Sequence, residues 1–315
     1  LPLKVERGNR VFPVSDHASD VTKSLERACR DAGVEIGLNE VVCEIVNENG
    51  AVRSVRTTAR TYDCDAVIVA TGGLTYPSTG STGDGYAFAR HAGHTCVPCV
   101  PSLVGIELIE DVAVAQGVSL KNVTLTAKRA EKGVYREQGE LLFTHYGISG
   151  PLVLTLSAMI NRIPMRELEF AIDFKPALDE ETLDQRLLKD FSLRKNEQMK
   201  NVMRGLLPAG AVQLVLNASR VSGIKQANAV TKEERRRLLL ALKALPLRPK
   251  QLRGFQEAVI TSGGISLKEV DPSTMESKIV KGLFFCGEVL DCDALTGGFN
   301  LQIAFCTGYA AGTSA

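Results

Sequence analysis

The apolar positions of this chain follow three rhythms. Two short runs, Asp65-Ala66-Val67-Ile68-Val69-Ala70 and Gly282-Leu283-Phe284-Phe285-Cys286, are nearly unbroken in apolar character and stop at glycines, Gly72-Gly73 and Gly287. An uninterrupted run of this length reads as a strand of a parallel sheet covered on both faces, and the glycines as turns where backbone comes close to a ligand. Ligands of doubly wound sheets sit beyond such strand ends. The two runs, far apart in sequence, are therefore expected to share one pocket for a large phosphate-bearing cofactor.

The second rhythm is helical. Residues 19–33 place Val21, Leu25 and Ala28 on one face, with Ser19 or Asp20 as a cap and Gly33 as a stop. Residues 176–245 carry further helical stripes: Leu183, Leu187 and Leu188; then Val212, Leu214, Val215 and Leu216; then Leu238, Leu239 and Leu242. The third rhythm is alternation. Residues 34–36 begin a strand, 41–46 form another, a turn follows at 47–50, and 51–58 with 60–62 read as a hairpin. After Pro101, short strands at 104–108, 123–128, 139–143 and 168–174 suggest a small antiparallel barrel or sandwich. Pro246 and Pro249 mark a return to strand, and 257–261 rejoins it. The fold class is α/β. Residues 1–103 and 263–315 form a cofactor domain, 104–175 and 246–262 an inserted antiparallel β domain, and 176–245 a helical subdomain.

Composition narrows the partners. Of 315 residues, 44% are hydrophobic and 23% charged, and the net charge is +1, so no electrostatic case exists for nucleic acid or an anionic membrane. Tryptophan is absent and aromatics are 5%, which disfavours a base-stacking platform. No apolar stretch is long enough to span a bilayer. Arg235-Arg236-Arg237 reads as a solvated helix face. Eight scattered cysteines fit a reducing cytoplasm better than a disulfide framework. Cys96-Val97-Pro98-Cys99 lacks the second pair or histidines of a zinc site, so no metal is expected, and a redox dithiol is the minor reading.

Further motifs carry a resemblance. Gly8-Asn9-Arg10-Val11-Phe12-Pro13-Val14-Ser15-Asp16, Ala70-Thr71-Gly72-Gly73, Ser78-Thr79-Gly80-Ser81-Thr82-Gly83-Asp84-Gly85-Tyr86, Leu142-Phe143-Thr144-His145-Tyr146-Gly147-Ile148-Ser149-Gly150-Pro151 and Gly287-Glu288-Val289-Leu290-Asp291 through Tyr309 span the chain. In this order they resemble the BaiN/RdsA-type, or aminoacetone-oxidase-type, FAD-dependent oxidoreductases. Such enzymes open with a strand, a Gly-x-Gly-x-x-Gly turn and a helix that hold the pyrophosphate. That motif is not found in this sequence. The expectation is therefore an incomplete FAD-binding dinucleotide fold, lacking its first βαβ unit.

The resemblance implies hydride transfer between flavin N5 and a small organic or steroid-like substrate, with NAD(P)H or oxygen serving the second half-reaction. It places Thr71, Gly72, Gly287, Glu288 and Asp291 near FAD without settling which carboxylate touches it. Gly297 and Gly298 let the chain pass close to a flat ring. Phe299, Asn300 and Leu301 then open a helix whose free N–H groups suit the pyrimidine edge of a reduced flavin. The bland alternative is a glycine turn capped by Asn300. Asp84, in a Thr-Gly-Asp-Gly similar to that of succinate dehydrogenase-like flavoproteins, either binds a cofactor hydroxyl or caps its own helix. Val42 lies where related folds meet adenine through the main chain.

His145 is the candidate proton donor or acceptor, against the alternative that it only holds its loop; Tyr146 and Tyr76 are further donors. His91 and His94 flank Gly93 at a helix end and are explained by the helix dipole. The expected partners are a small-molecule substrate, no nucleic acid and no membrane. A reading from another class is a binding or scaffold module that does not retain FAD, its exposed sheet edge and Val67–Val69 faces prone to association.

Overall fold

A computed structural model describes residues 1–315, which divide into two compact units. Unit 1 comprises residues 1–73, 80–98 and 263–315; unit 2 comprises 74–79 and 99–262. The chain leaves unit 1 along strand Cys96–Ser102 and returns along strand Ile260–Ile265, and these two strands pair with each other.

Unit 1 is built around a short parallel pair, Val67–Val69 beside Leu283–Phe285. Val67 N–H donates to Gly282 O (2.8 Å) and Cys286 N–H to Val69 O (3.1 Å), which extends the ladder at both ends. A three-stranded antiparallel sheet, Val42–Glu48, Ala51–Thr57 and Thr61–Asp63, joins it through a parallel bridge from Ala51 to Lys281. Helices Ala18–Asp31, Asp84–His91 and Phe299–Ser314 complete the unit.

Several details depart from the sequence reading. The first helix starts at Ala18 with His17 before it, and Asp20 lies inside, where its carboxylate accepts from the Ser15 hydroxyl (2.6 Å). Residues 34–36 form no strand, because no neighbouring strand takes up their backbone groups. The 65–70 run shortens to Val67–Val69, and Ile68 is 39% exposed while Val69 is buried. The run is thus covered on one face only.

Unit 2 holds a seven-stranded sheet in the order Leu245–Leu247, Leu168–Asp173, Ser119–Arg129, Lys132–Phe143, Gly147–Ser149, Ile106–Leu108, Pro249–Leu252. Its two edge strands are consecutive in the chain, separated only by Arg248, so the sheet must curl until its edges approach each other. Pro246 and Pro249 occupy these edges, where a missing N–H costs least. Leu125, Leu141, Phe143 and Ile148 point inward and are fully buried. They share one core with helices Pro151–Ile160, Glu180–Leu193, Ala209–Ser219 and Lys232–Lys243. The last of these begins with a capping box: Glu234 N–H donates to Thr231 Oγ1 (3.2 Å) and Thr231 N–H to Glu234 Oε2 (2.8 Å). No helix is long and apolar enough to cross a membrane.

His91 lies in the last turn of its helix with its ring 2.9 Å from Ala87 O, whereas His94 is buried past the helix end, where the helix dipole does not explain it. Ser277 Oγ accepts from the N–H groups of Ile279 (3.0 Å) and Val280 (2.9 Å). Its own proton must therefore go to His94 Nε2, 2.7 Å away. This leaves Nδ1 as the protonated nitrogen, facing Glu269 Oε2 at 3.4 Å, too long for a good hydrogen bond. Phe285 packs against the ring edge at 4.8 Å. Desolvation holds the imidazole below its ordinary value of 6.5, against the opposing pull of Glu269.

A histidine kept neutral by folding takes up a proton more readily when unfolded, so its contribution is full above about pH 6.5 and declines as pH falls through the folded value. Glu269, held low chiefly by the Thr95 N–H, titrates below its ordinary 4.5 and acts in a more acidic window. The urea-unfolding free energy is expected to fall on acidification from about pH 7 to 5.5, and His94→Gln to flatten that slope. Equal slopes in the two proteins would remove His94 from the account.

Candidate functional site

The glycine-ended strands of unit 1 do converge. Gly85, at the start of helix Asp84–His91, has no room for a side chain. A Cβ there would collide with the Thr71 hydroxyl and lie 2.8 Å from Val289 Cγ2 and 3.1 Å from Val69 Cγ1. Gly72 adopts φ +71°, and a Cβ on it would stand 2.7 Å from Ser81 Oγ. Strand end, Thr71-Gly72 turn, Thr-Gly-Asp-Gly segment and the turn after Leu283–Phe285 thus meet at one place. Gly287, at φ +74°, donates its N–H to Thr307 Oγ1 (2.9 Å), which fastens helix Phe299–Ser314 to the same turn.

The terminal helix begins differently from the expected cap. Gly297 (φ +127°) and Gly298 (φ +91°) supply backbone shapes that other residues rarely adopt, and Gly298 is the N-cap with no side-chain bond. Asn300 sits inside the first turn. Its side chain holds the preceding loop instead, accepting from Ala294 N–H (2.8 Å) and donating to Ala294 O (2.8 Å). The first helical bond is Gln302 N–H to Gly298 O (3.0 Å), so the N–H groups of Phe299, Asn300 and Leu301 lie ahead of the ladder.

Asp84 likewise does not cap. It lies in the first helical turn behind Gly83, and its carboxylate accepts from the Thr82 hydroxyl (3.0 Å). Glu288 and Asp291 are half-buried in the turn after Leu283–Phe285, with Asp291 N–H bonded to Ile265 O (2.9 Å). Val42 is set apart, at the start of the outer strand of the three-stranded sheet, opposite Thr57. Burial raises the thiols of Cys286 and Cys292, with Asp293 and Asp291 adding to the second, so both stay protonated near neutral pH.

One atom tests whether a cofactor fits here. Thr71 Oγ1 is buried and has no hydrogen-bond partner. Buried hydroxyls are nearly always bonded, and this one stands at the parallel strand end, where dinucleotide folds hold their ligands. With the uncapped helix start and the glycine-lined turn, the residues fit a group that offers acceptors and negative charge. FAD is such a group.

His145 lies in unit 2, in the turn between Lys132–Phe143 and Gly147–Ser149. The turn is closed by Thr144, whose N–H donates to Gly147 O (2.9 Å) and whose hydroxyl accepts from Gly147 N–H (3.1 Å). His145 is exposed, its ring edge-on to Tyr146 at 5.1 Å. The loop-holding role thus belongs to Thr144. Ser81 and Val289 stand within the motifs that carry the resemblance, and Thr307 in the helix after them, but their spacing gives none of the three a role; the folded contacts do.

Fold and site together define a dinucleotide-binding protein of the Rossmann class. A model of the family described as HI0933-like protein Rossmann domain matches residues 1–314. The chain belongs to that family, the BaiN/RdsA-type FAD-dependent oxidoreductases. It is similar to 3-dehydro-bile acid delta(4,6)-reductase of Clostridium scindens, 31% identical over 312 residues, covering 98% of this chain and 76% of the relative. It is also similar to ribosomal RNA dihydrouridine synthase of Escherichia coli, 30% identical over 303 residues (94% of this chain, 71% of the relative). The Haemophilus influenzae protein of the same name is 32% identical over 303 residues (94% and 72%).

The orphaned hydroxyl gives a prediction with opposite signs in two states. Without ligand, Thr71→Val removes a buried unsatisfied group and is expected to stabilise the FAD-free protein by about 1 kcal/mol in urea unfolding. With FAD, the same substitution is expected to weaken binding, read by quenching of flavin fluorescence. Destabilisation of the FAD-free protein would show that the hydroxyl already has a partner.

Proposed function

We propose that this protein reduces a carbon–carbon double bond conjugated to a carbonyl group in a small molecule. The observation behind this is a shared bond change. The relatives' names describe reduction of delta(4,6) bonds in a 3-dehydro bile acid and formation of dihydrouridine, and both add two hydrogens to an alkene activated by a carbonyl. The hydride would come from FAD held by these residues, with a reduced nicotinamide as the source of its electrons. Hydride reaches the carbon remote from the carbonyl, the electron pair moves toward the oxygen, and a proton completes the carbon between them.

This chain's residues divide that task. The Thr71 hydroxyl and the Gly72 and Gly287 backbone hold the cofactor; Asp84, Glu288 and Asp291 accept from its hydroxyls; and the Val42 main chain serves its adenine. The N–H groups of Phe299, Asn300 and Leu301, after Gly297-Gly298, favour negative charge on the ring. His145 delivers the proton. A small molecule is preferred to RNA because the basic run is engaged internally. Arg235 bridges to Asp184 (2.8 Å), Arg236 to Glu180 (2.8 Å), and Arg237 donates to Ser219 O (2.8 Å).

A second reading, a binding module that does not retain FAD, draws on the terminal helix. Leu301, Phe305 and Tyr309 recur every fourth residue and are 65%, 54% and 75% exposed. A visible spectrum separates the two. The first reading expects a yellow protein, bleached anaerobically by NADH or NADPH and recoloured by a steroid enone; recolouring only by uridine-containing RNA would reassign the substrate. A colourless protein that FAD cannot reconstitute would overturn the enzyme reading. His145→Ala is expected to lower kcat by about 10²-fold or more with flavin retained. Unchanged turnover would return His145 to a structural role.

A further inference from the structure

The proton step proposed for His145 raises a mechanical problem within unit 2. An exposed imidazole on a turn samples several rotamers, and acid–base catalysis needs one. The neighbouring strand ends supply the constraint. Gly147 pairs with Glu107 and Leu252 with Ile106, so Gly105 and Arg253 lie together at one end of strand Ile106–Leu108, while Tyr146 lies across from Leu108 at the other end and its side chain reaches back along the strand to Gly105. Arg253 N–H donates to Gly105 O (3.0 Å), and Leu108 N–H to Tyr146 O (3.1 Å).

The side chains then stack. The Arg253 guanidinium lies 4.6 Å from the centre of the Tyr146 ring. Tyr146 meets His145 edge-on, the ring centres 5.1 Å apart and the planes at 82°. Gly105 makes the slot for the phenol, since a Cβ there would collide with the Tyr146 hydroxyl and lie 3.2 Å from Cε2. Arg253 is itself pinned. Its Nη1 donates to Glu107 Oε1 (2.6 Å), its Nε to Glu257 Oε1 (2.9 Å), and its Nη2 makes a further short contact with Glu257. Lys250 reaches Glu107 at 3.5 Å. The carboxylates hold the guanidinium's acidity well below ordinary, so it stays charged throughout. Glu257 is held low chiefly by Arg253.

We propose that Arg253 is a positioning residue: fixed by Glu107 and Glu257, it presses Tyr146 into the Gly105 slot, and the Tyr146 ring in turn fixes the imidazole of His145. A clamp present only for stability would leave the histidine free. The proposal rests on the proton role of His145 but is read independently of it, because ring placement is observable without turnover.

The test uses the full chain with ¹³C-labelled histidine. Four histidines give four ring signals, and His145→Ala assigns the one in question. In the native protein the His145 ring protons are expected to be shifted upfield or downfield from solvent values by the Tyr146 ring current. Arg253→Gln and Tyr146→Leu should return them to solvent values and, in the FAD-loaded enzyme, lower kcat about tenfold or more with KM little changed. Tyr146→Phe, which keeps the ring, should recover both signals and turnover. If Arg253→Gln does not fold, Arg253→Lys serves, since it keeps the charge but loses the flat stack and should lose part of the shift. Unmoved His145 signals in a folded Arg253 variant would overturn the proposal. So would a Tyr146→Phe enzyme as slow as Tyr146→Leu, which would make the phenol itself the acid. Native turnover in His145→Ala would overturn the proton reading alone, leaving the ring-current result to stand or fall by itself.

Discussion

Three residues of parallel pairing, Val67–Val69 against Leu283–Phe285, bring together everything unit 1 needs. The two segments are more than two hundred residues apart, a loop that would cost about 5 kcal/mol to close if it were flexible. It is not flexible. The intervening chain folds as unit 2, leaving along Cys96–Ser102 and returning along Ile260–Ile265, which pair with each other. The closure cost is thus met mainly by unit 2, and a very short ladder suffices. Gly282 shows how close that ladder is, for a Cβ there would stand 2.5 Å from Asp65 O. Its φ of +77° is also one that glycine tolerates best.

Much of this arrangement is legible in the amino-acid sequence. The two apolar runs ending at glycine do form strands that lie together, although the first is shorter than its apolar stretch and covered on one face only. The hairpin at 51–63 is legible from alternation and the helices after 176 from their apolar stripes, both local patterns of consecutive residues. What escaped depends on neighbours distant in sequence. Residues 34–36 have strand composition but no strand beside them. Ile68 looks buried by type yet faces outward. His94 looks like a helix-end histidine until Ser277, 183 positions away, bonds to it. Asn300 has the chemistry of a cap, but Gly298 already occupies that position, and its amide ties down Ala294 instead. Of the site residues, Thr71 and Gly72 stand where the pattern put them, Val42 lies on another sheet, and Asp84 is bonded to Thr82. Spacing identifies a residue's element, whereas its partner is set by tertiary contacts.

The two units solve burial differently. Unit 2 gathers barrel strands and helices round one apolar core, and Arg253 is paired with Glu107 and Glu257. A rigid frame of this kind can hold the half-buried Tyr146 and the exposed His145 in defined places. Unit 1 leaves more undone: helix Ala18–Asp31 buries no side chain, and helix Phe299–Ser314 buries only Ala311.

The terminal helix is therefore fastened by polar bonds more than by packing. Asn300 grips Ala294 in the first turn, and Thr307, midway along the helix, takes the Gly287 N–H. Such tethers fix where the first N–H groups point without covering the rest of the helix. Each is worth about 1 kcal/mol, so the helix start is held only modestly. A ligand that bonded those N–H groups and the Thr71 hydroxyl would draw on the same marginal balance, and its binding energy would appear as stability of this unit. Cofactor retention and local folding are on this argument one equilibrium, centred on the turn where Gly85, Thr71 and Val289 touch.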